Sequence, residues 1–353
     1  MQSTFRRDPW LHNVSGVARH NENLSNGLEM QRREIRARRV LVIKGVESAK
    51  PRQLLPGVFL TAAVLFTAAL AHAEQMAVTF DDLPAHGDLP PGTTRLEIAR
   101  TILATLQRER MPPSYGFING KRTEEDPSSL AVLQAWRAAG NPLGNHTWEH
   151  QDLNGETPQE FALEVERNEP LLKSLMDGQD WHWFRYPFLH EGDSITKRRQ
   201  VREWLTQHGY KIAEVNMDFE DYLWNAPYAR CVAKHDTVAI AKLHDSYLAV
   251  ADQYYGVFKR LSALVYGRDV NYVLLLHVGA FDARMLPELL ALYRRNGVRF
   301  VSLSEAMSDP AYRDDPDVAE KSGGAQLELM MQKKKILFPE NSKPYEELAG
   351  MCR

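Results

Sequence analysis

From residue 74 onward, short apolar runs alternate with longer segments whose apolar positions recur every three or four residues. These are the signatures of strands and of helices with one buried face. Residues 76–80 form the first apolar run, and 94–108 follow with Leu96, Ile98, Ala99, Ile102, Leu103 and Leu106 at helical spacing. A strand is predicted at 114–119. Pro127-Ser128 opens a helix that runs to Ala139 and is closed by Gly140. Residues 142–146 give a brief strand, and 158–176 a helix stopped by Asp177-Gly178. An aromatic strand is predicted at 182–187, a helix at 197–208 with Gly209 after it, and a strand at 211–217. Residues 230–266 read as one long, mostly helical insertion. A strongly apolar strand at 272–277, a helix at 283–295 and a last strand at 298–303 complete the series, and 345–351 suggests a short terminal helix.

This alternation predicts an α/β fold built on a parallel sheet: a distorted (β/α) barrel of about seven strands, forming a single domain over residues 74–310. An open doubly wound sheet also satisfies the alternation. The glycine fingerprint of a dinucleotide fold, however, is missing after the first strand. Residues 311–353 read as a polar tail, tied to the barrel if Cys231 and Cys352 are bridged. The chain has 353 residues, 44% hydrophobic and 25% charged, with a net charge of -3; the composition is globular and gives no reason to expect a nucleic-acid partner.

The N-terminal fifth is different. Residues 54–73 are apolar and uncharged, preceded by Lys50 and Arg52 and ending in Ala71-His72-Ala73. That small-x-small ending fits a secretory signal cleaved after Ala73 better than an uncleaved membrane anchor, which the length nearly permits. The expected location is therefore periplasmic or extracellular, with membrane contact only if the segment stays uncleaved. Residues 1–53 read as a disordered leader, or as sequence upstream of a true start at Val46. Cys231 and Cys352 allow one disulfide in an oxidising compartment, or two unpaired thiols.

Polar residues cluster where the predicted strands end. Asp81-Asp82, His146, Arg185, the stretch 218–221 and His277 all fall at or just past C-terminal strand ends, the rim that carries chemistry in α/β barrels. An acidic pair alone often only caps a turn. His146 and His150 would share a face if their segment were helical. Together, a carboxylate pair and two histidines can supply three metal ligands and leave one carboxylate as a base, the minimum for metal-assisted hydrolysis.

The set Thr79-Phe80-Asp81-Asp82, His146-Thr147-x-x-His150, Arg185-x-Pro187-Phe188, Asp218-x-x-Asp221-Tyr222 and Leu275-x-His277 resembles, in order, the motifs of the polysaccharide deacetylases. These are metal-dependent carbohydrate esterases with a NodB-type domain, and the resemblance spans residues 75–307. It implies that Asp82, His146 and His150 hold one divalent metal ion, Zn²⁺ foremost, with Co²⁺, Ni²⁺ or Fe²⁺ also suited. It implies that Asp81 is a general base and that Arg185 clamps it. The backbone N–H of Phe188 would help hold an oxyanion, His277 would be the acid, oriented by Asp221, and Tyr222 and Leu275 would line a pocket for an acetyl group. The implied substrate is an acetylated glycan, with chitin-like, peptidoglycan and xylan material unranked. An amidase for a small non-glycan amide and a non-catalytic glycan-binding barrel stand as alternatives, and the oligomeric state is open.

The chain departs from the family in having Leu83-Pro84 after the acidic pair, with Ala85-His86-Gly87 beyond, Leu189 after Phe188, and Val278 after His277. Leu243-His244-Asp245 imitates the last motif, but it lies within a helical pattern, so His277 is the expected acid. Trp148, Trp181, Trp183 and Trp224 offer sugar-stacking platforms or core packing alike.

Overall fold

A computed structural model describes residues 74–339 and 344–353; the leader reading for 1–53 and the signal reading for 54–73 lie outside them. The elements are β1 (Gln75–Leu83), α1 (Arg95–Arg108), β2 (Gly116–Ile118), α2 (Lys121–Glu125), α3 (Leu130–Ala138), β3 (Leu143–Asn145), α4 (Pro158–Met176), β4 (Trp183–Phe184) and α5 (Ile195–Gln207). After these come β5 (Lys211–Ile212), α6 (Asn225–Ala233), α7 (Thr237–Tyr266), β6 (Tyr272–His277), α8 (Ala280–Arg295), β7 (Arg299–Phe300), α9 (Leu303–Ala306), α10 (Gln326–Lys334) and α11 (Tyr345–Gly350). Among the described residues no helix is long and apolar enough to cross a membrane.

The strands form one parallel sheet in the order β5-β4-β3-β2-β1-β6, with β7 also on β1. A bridge from Met217 to Leu274 joins the stretch after β5 to β6 and rolls the sheet into a distorted barrel. Asn216 completes that seam in place of a regular ladder: its side-chain oxygen accepts from Val273 N at 2.8 Å and its amide donates to the Asn271 carbonyl at 3.0 Å. The strand predicted over 211–217 is thus regular only at Lys211–Ile212, because a side chain supplies the hydrogen bonds further on.

Period-two alternation sorts the strand residues into two layers. Met76, Val78 and Phe80 on β1, and Tyr272, Leu274 and Leu276 on β6, join the main core beneath the helices. Ala77, Phe117, Trp183, Ala213 and Val273 form a second, smaller core with Val301 just after β7 and with Leu303 and Ala306 of α9. Gly144 belongs to the tight interior: a Cβ there would stand 2.7 Å from the Phe117 ring and 2.7 Å from the Trp183 carbonyl oxygen.

Helix starts follow local chemistry. Thr94 and Glu97 form a capping box on α1, and Thr157 and Glu160 do the same on α4, with Pro158 in its first turn. The insertion predicted as one helix over 230–266 is two, because the chain turns at His235 (φ 55°) and Asp236 then caps α7 by accepting from Ala239 N. Helix α8 begins earlier than its apolar pattern, since Asn225 Oδ1 accepts from Phe281 N at 2.8 Å and fixes the first turn. The last predicted strand shortens to Arg299–Phe300 because Ser302 caps α9 immediately after it. A disulfide joins Cys231 of α6 to Cys352, and Arg230 donates to the carbonyl of Met351, so the last residues lie on the body of the domain.

Candidate active site

The C-terminal strand ends open into a cleft of about 470 Å³ lined by Asp81, Asp82, His86, His146, His150, Phe188, Tyr222, Leu275 and His277, with residues 322–325 and Glu328 on the tail side. Asp81 and His277 are Cα partners in the β1–β6 ladder, and both occupy inward positions, so the barrel itself sets them side by side.

Arg185 reaches into the barrel from the end of β4 and is 1% exposed. Its Nη1 donates to both oxygens of Asp81 at 3.1 and 3.2 Å, Nη2 to Thr79 Oγ1 at 3.1 Å, and Nε to the Ala213 carbonyl at 2.6 Å. The Phe117 ring covers the guanidinium face at 4.6 Å. Burial pulls the Arg185 pKa down, and Asp81 opposes that pull. A buried charge this fully paired is an orienting device for Asp81, which is itself 2% exposed.

The segment of His146 and His150 is not helical, so a shared helical face does not apply. The two histidines lie on a turn in which Thr147 (φ 64°) and His150 (φ 59°) are left-handed. Asn119 Nδ2 holds the carbonyls of His146 and Thr147 at 2.6 and 3.1 Å, and Asn168 Nδ2 holds Thr147 O at 3.2 Å, so buried amides rather than helix periodicity bring the rings together. His146 Nδ1 lies 2.8 Å from the Arg185 carbonyl, which can only accept, so this nitrogen carries the proton and Nε2 is bare. The two Nε2 atoms stand 3.4 and 3.2 Å from Asp82 Oδ1. That oxygen is buried and, among the described residues, has no hydrogen-bond partner of good geometry. Burial opposes ionisation of Asp82, but His146, His150 and His86 together outweigh it and hold its pKa well below the ordinary value. A buried carboxylate oxygen with the Nε2 atoms of two imidazoles within 3.4 Å fits a divalent cation, and the three residues lie close enough to share one.

On the other side of the cleft, His277 Nδ1 and Asp221 Oδ1 are 2.7 Å apart, and His277 N donates to Asp221 Oδ2 at 2.7 Å. Burial, with Asp218 nearby, pushes Asp221 up to about 7. Behind it lies Asp282, which burial and Asp221 hold well above the ordinary carboxylate range, and which is held by Asn225 Nδ2 at 2.7 Å and Tyr247 OH at 3.1 Å. Gly279 is required here, since a Cβ would sit 2.2 Å from the Asn225 amide atoms.

Tyr222 and Leu275 line the cleft as expected of a small pocket, and Phe188 sits at φ 58° on the short 3₁₀ turn Pro187–Leu189 at its lip. His244, by contrast, pairs with Asp245 and Glu288 on the helical surface, away from the cleft. The tryptophans are packing residues: Trp148, Trp181, Trp183 and Trp224 are 7, 8, 7 and 0% exposed. The aromatics that face solvent at the cleft are Phe188 and Tyr222, 54 and 39% exposed. Sequence reading missed three contributors. Asp282 and His86 gave no spacing signal, although His86 lies within the departure from the family pattern, and residues 322–325 sit in a polar tail without periodicity.

Residues 71–213 match the model of the polysaccharide deacetylase family. Over that span, about two fifths of the chain, it is similar to the polysaccharide deacetylases. The matched span holds Asp81, Asp82, His146, His150 and Arg185, and it ends before Asp221 and His277, which geometry alone adds to the cleft. Curated relatives include a chitin deacetylase of Arthroderma benhamiae, 23% identical over 55% of this chain and 44% of that protein. Another is a peptidoglycan-N-acetylglucosamine deacetylase of Bacillus cereus, 24% identical over 42% of this chain and 46% of that protein. The match thus spans less than half the length of each curated relative. Solved structures that resemble it include a chitin deacetylase from Colletotrichum lindemuthianum, at 22% identity and a TM-score of 0.46 over 66% of this chain and 86% of that one. A family pseudoenzyme from Bacillus anthracis gives 13% identity and a TM-score of 0.46 over 67% and 66%.

Proposed function

We propose that this protein is an exported, metal-dependent deacetylase that hydrolyses acetyl groups of a glycan, N-acetylglucosamine material foremost. The observation that carries the reading is one cleft with two differently prepared sides. On one, the Arg185-clamped Asp81 stands next to the Asp82, His146 and His150 triad; on the other, His277 is held by Asp221. A divalent ion such as Zn²⁺, held by the triad, would supply Lewis acidity to an attacking water and to the acyl oxygen.

The protein's own residues do the rest. Asp81, its second contact fixed by Arg185, takes the proton from a water whose oxygen bonds to the acyl carbon. The Phe188 amide supports the oxyanion. As the C–N bond breaks, His277 gives its Nε2 proton to the departing nitrogen, while Asp221 keeps Nδ1 occupied. The products are acetate and a free amine. Leu275 and Tyr222 shape a small apolar site for the methyl group, and Phe188 and Tyr222 offer faces for sugar rings. Among the described residues no lysine or arginine lines the cleft, which suits a neutral or amine-bearing chain over a polyanion.

Export is supported by the apolar segment 54–73 and by the disulfide. The deciding experiment measures acetate release from chito-oligosaccharides, peptidoglycan and acetylxylan by native, chelated and Asp81→Asn protein. Acetate is expected from at least one glycan and is lost on chelation and on substitution. Release indifferent to both overturns the mechanism, and turnover of small amides alone favours an amidase.

A further inference from the structure

β1 ends in an unusual corner. Asp82 is left-handed (φ 61°), the Leu83-Pro84 peptide is cis, and Ala85 N donates back to the Asp82 carbonyl at 2.8 Å. The corner returns the chain so that His86, four residues on, faces Asp82 again: His86 Nδ1 lies 2.7 Å from Asp82 Oδ2. An ionised carboxylate only accepts, so Nδ1 is the donor.

The ring is held in place from three sides. Arg95 Nη1 and Nη2 clamp the carbonyls of His86 and Gly87 at 2.6 and 2.7 Å. Gly87 has φ +64°, and a Cβ on it would come within 3.1 Å of Asn225 Cβ, so the loop lies against α6. The His86 ring also packs on His277, with centroids 4.4 Å apart. The two oxygens of Asp82 therefore have separate partners: Oδ2 is fixed by His86, and Oδ1 is presented to His146 and His150.

We propose that His86 is a positioning residue for the metal centre, holding the Asp82 carboxylate so that Oδ1 meets the ion the histidine pair would share. The inference rests on the triad being a metal site, and it assigns a purpose to the loop that departs from the family pattern. Outer partners of metal ligands are worth about 10–100-fold in affinity, and the same range is expected here.

The test is metal binding by the full chain, measured with Zn²⁺ in competition with a chromophoric chelator, alongside the visible spectrum of the Co²⁺-loaded protein. Wild type is expected to bind one ion per chain, and Asp82→Ala to bind none. His86→Ala should weaken Zn²⁺ binding about 10–100-fold and shift the Co²⁺ bands. His86→Asn, which places an amide donor where Nδ1 stands, should recover most of the affinity and the native spectrum. Unchanged affinity in His86→Ala overturns the proposal, as does equal weakening in His86→Asn. Two ions per chain, one lost on His86→Ala, would make His86 a ligand with His277 instead and also overturn it. Wild type binding no ion would remove the metal centre itself.

Discussion

Arg185 serves the cleft through charge rather than contact with substrate. Its guanidinium is buried and fully bonded, and removing it leaves Asp81 buried and uncompensated. Arg185→Met is therefore expected to cost about 3–5 kcal/mol of stability, read by urea unfolding, and to abolish acetate release. Asp81→Asn keeps the shape and loses the base: turnover should fall about 10²–10⁴-fold while metal affinity stays near wild type. Equal loss of metal would show that Asp81 is a ligand. A separate residue-scale effect involves Glu214, which burial and Glu191 push up from 4.5 to about 7. Between those values the folded chain keeps a proton that the unfolded chain has released, so this group's contribution is lost as pH rises through the window. Glu214→Gln should flatten the decline in unfolding free energy between about pH 5 and 7, and an unchanged slope would count against this assignment.

At the scale of elements, alternation decided most of what could be read. Continuous apolar runs made 76–80 and 272–277 visible as strands, and the strand period of two aims Asp81 and His277 inward at their ends. Apolar spacing made α1 legible almost to the residue and Asp177-Gly178 marked the end of α4, while the capping boxes that fix both starts came with the structure. What escaped is held by contacts between distant segments. The His146–His150 turn depends on Asn119 and Asn168, the seam after β5 on the Asn216 side chain, and the break at Asp236 on one cap. No local pattern announces such partners. Gly144 tests the interior packing of the barrel. Gly144→Ala would crowd the Phe117 ring and the Trp183 carbonyl, and should destabilise by about 1–3 kcal/mol in thermal or urea unfolding.

For the molecule as a whole, the C-terminal tail is part of the working body. Gln326 N donates to the Val215 carbonyl, Tyr345 OH to Glu220, and the disulfide fastens the last turn to α6, closing a loop of 121 residues. Cys352→Ser is expected to cost about 2–4 kcal/mol, and reductant should lower the Tm of wild type but not of the variant. Equal melting in both proteins under both conditions would mean that the bridge adds nothing. The tail was read as polar and patternless, and only the fold reveals that its residues 322–325 wall the cleft.

Asp81 and His277 face each other through the backbone ladder of two central strands, whereas His86, Phe188 and the tail stand on loops. The spacing of Asp81 and His277 is thus a constant of the sheet, and the doorway is interchangeable. Under the proposed function, exchanging the tail segment should redirect which polymers are turned over while the distance from Asp81 to His277 stays as the strands set it. In such a molecule, new substrates can be acquired without reinventing the reaction.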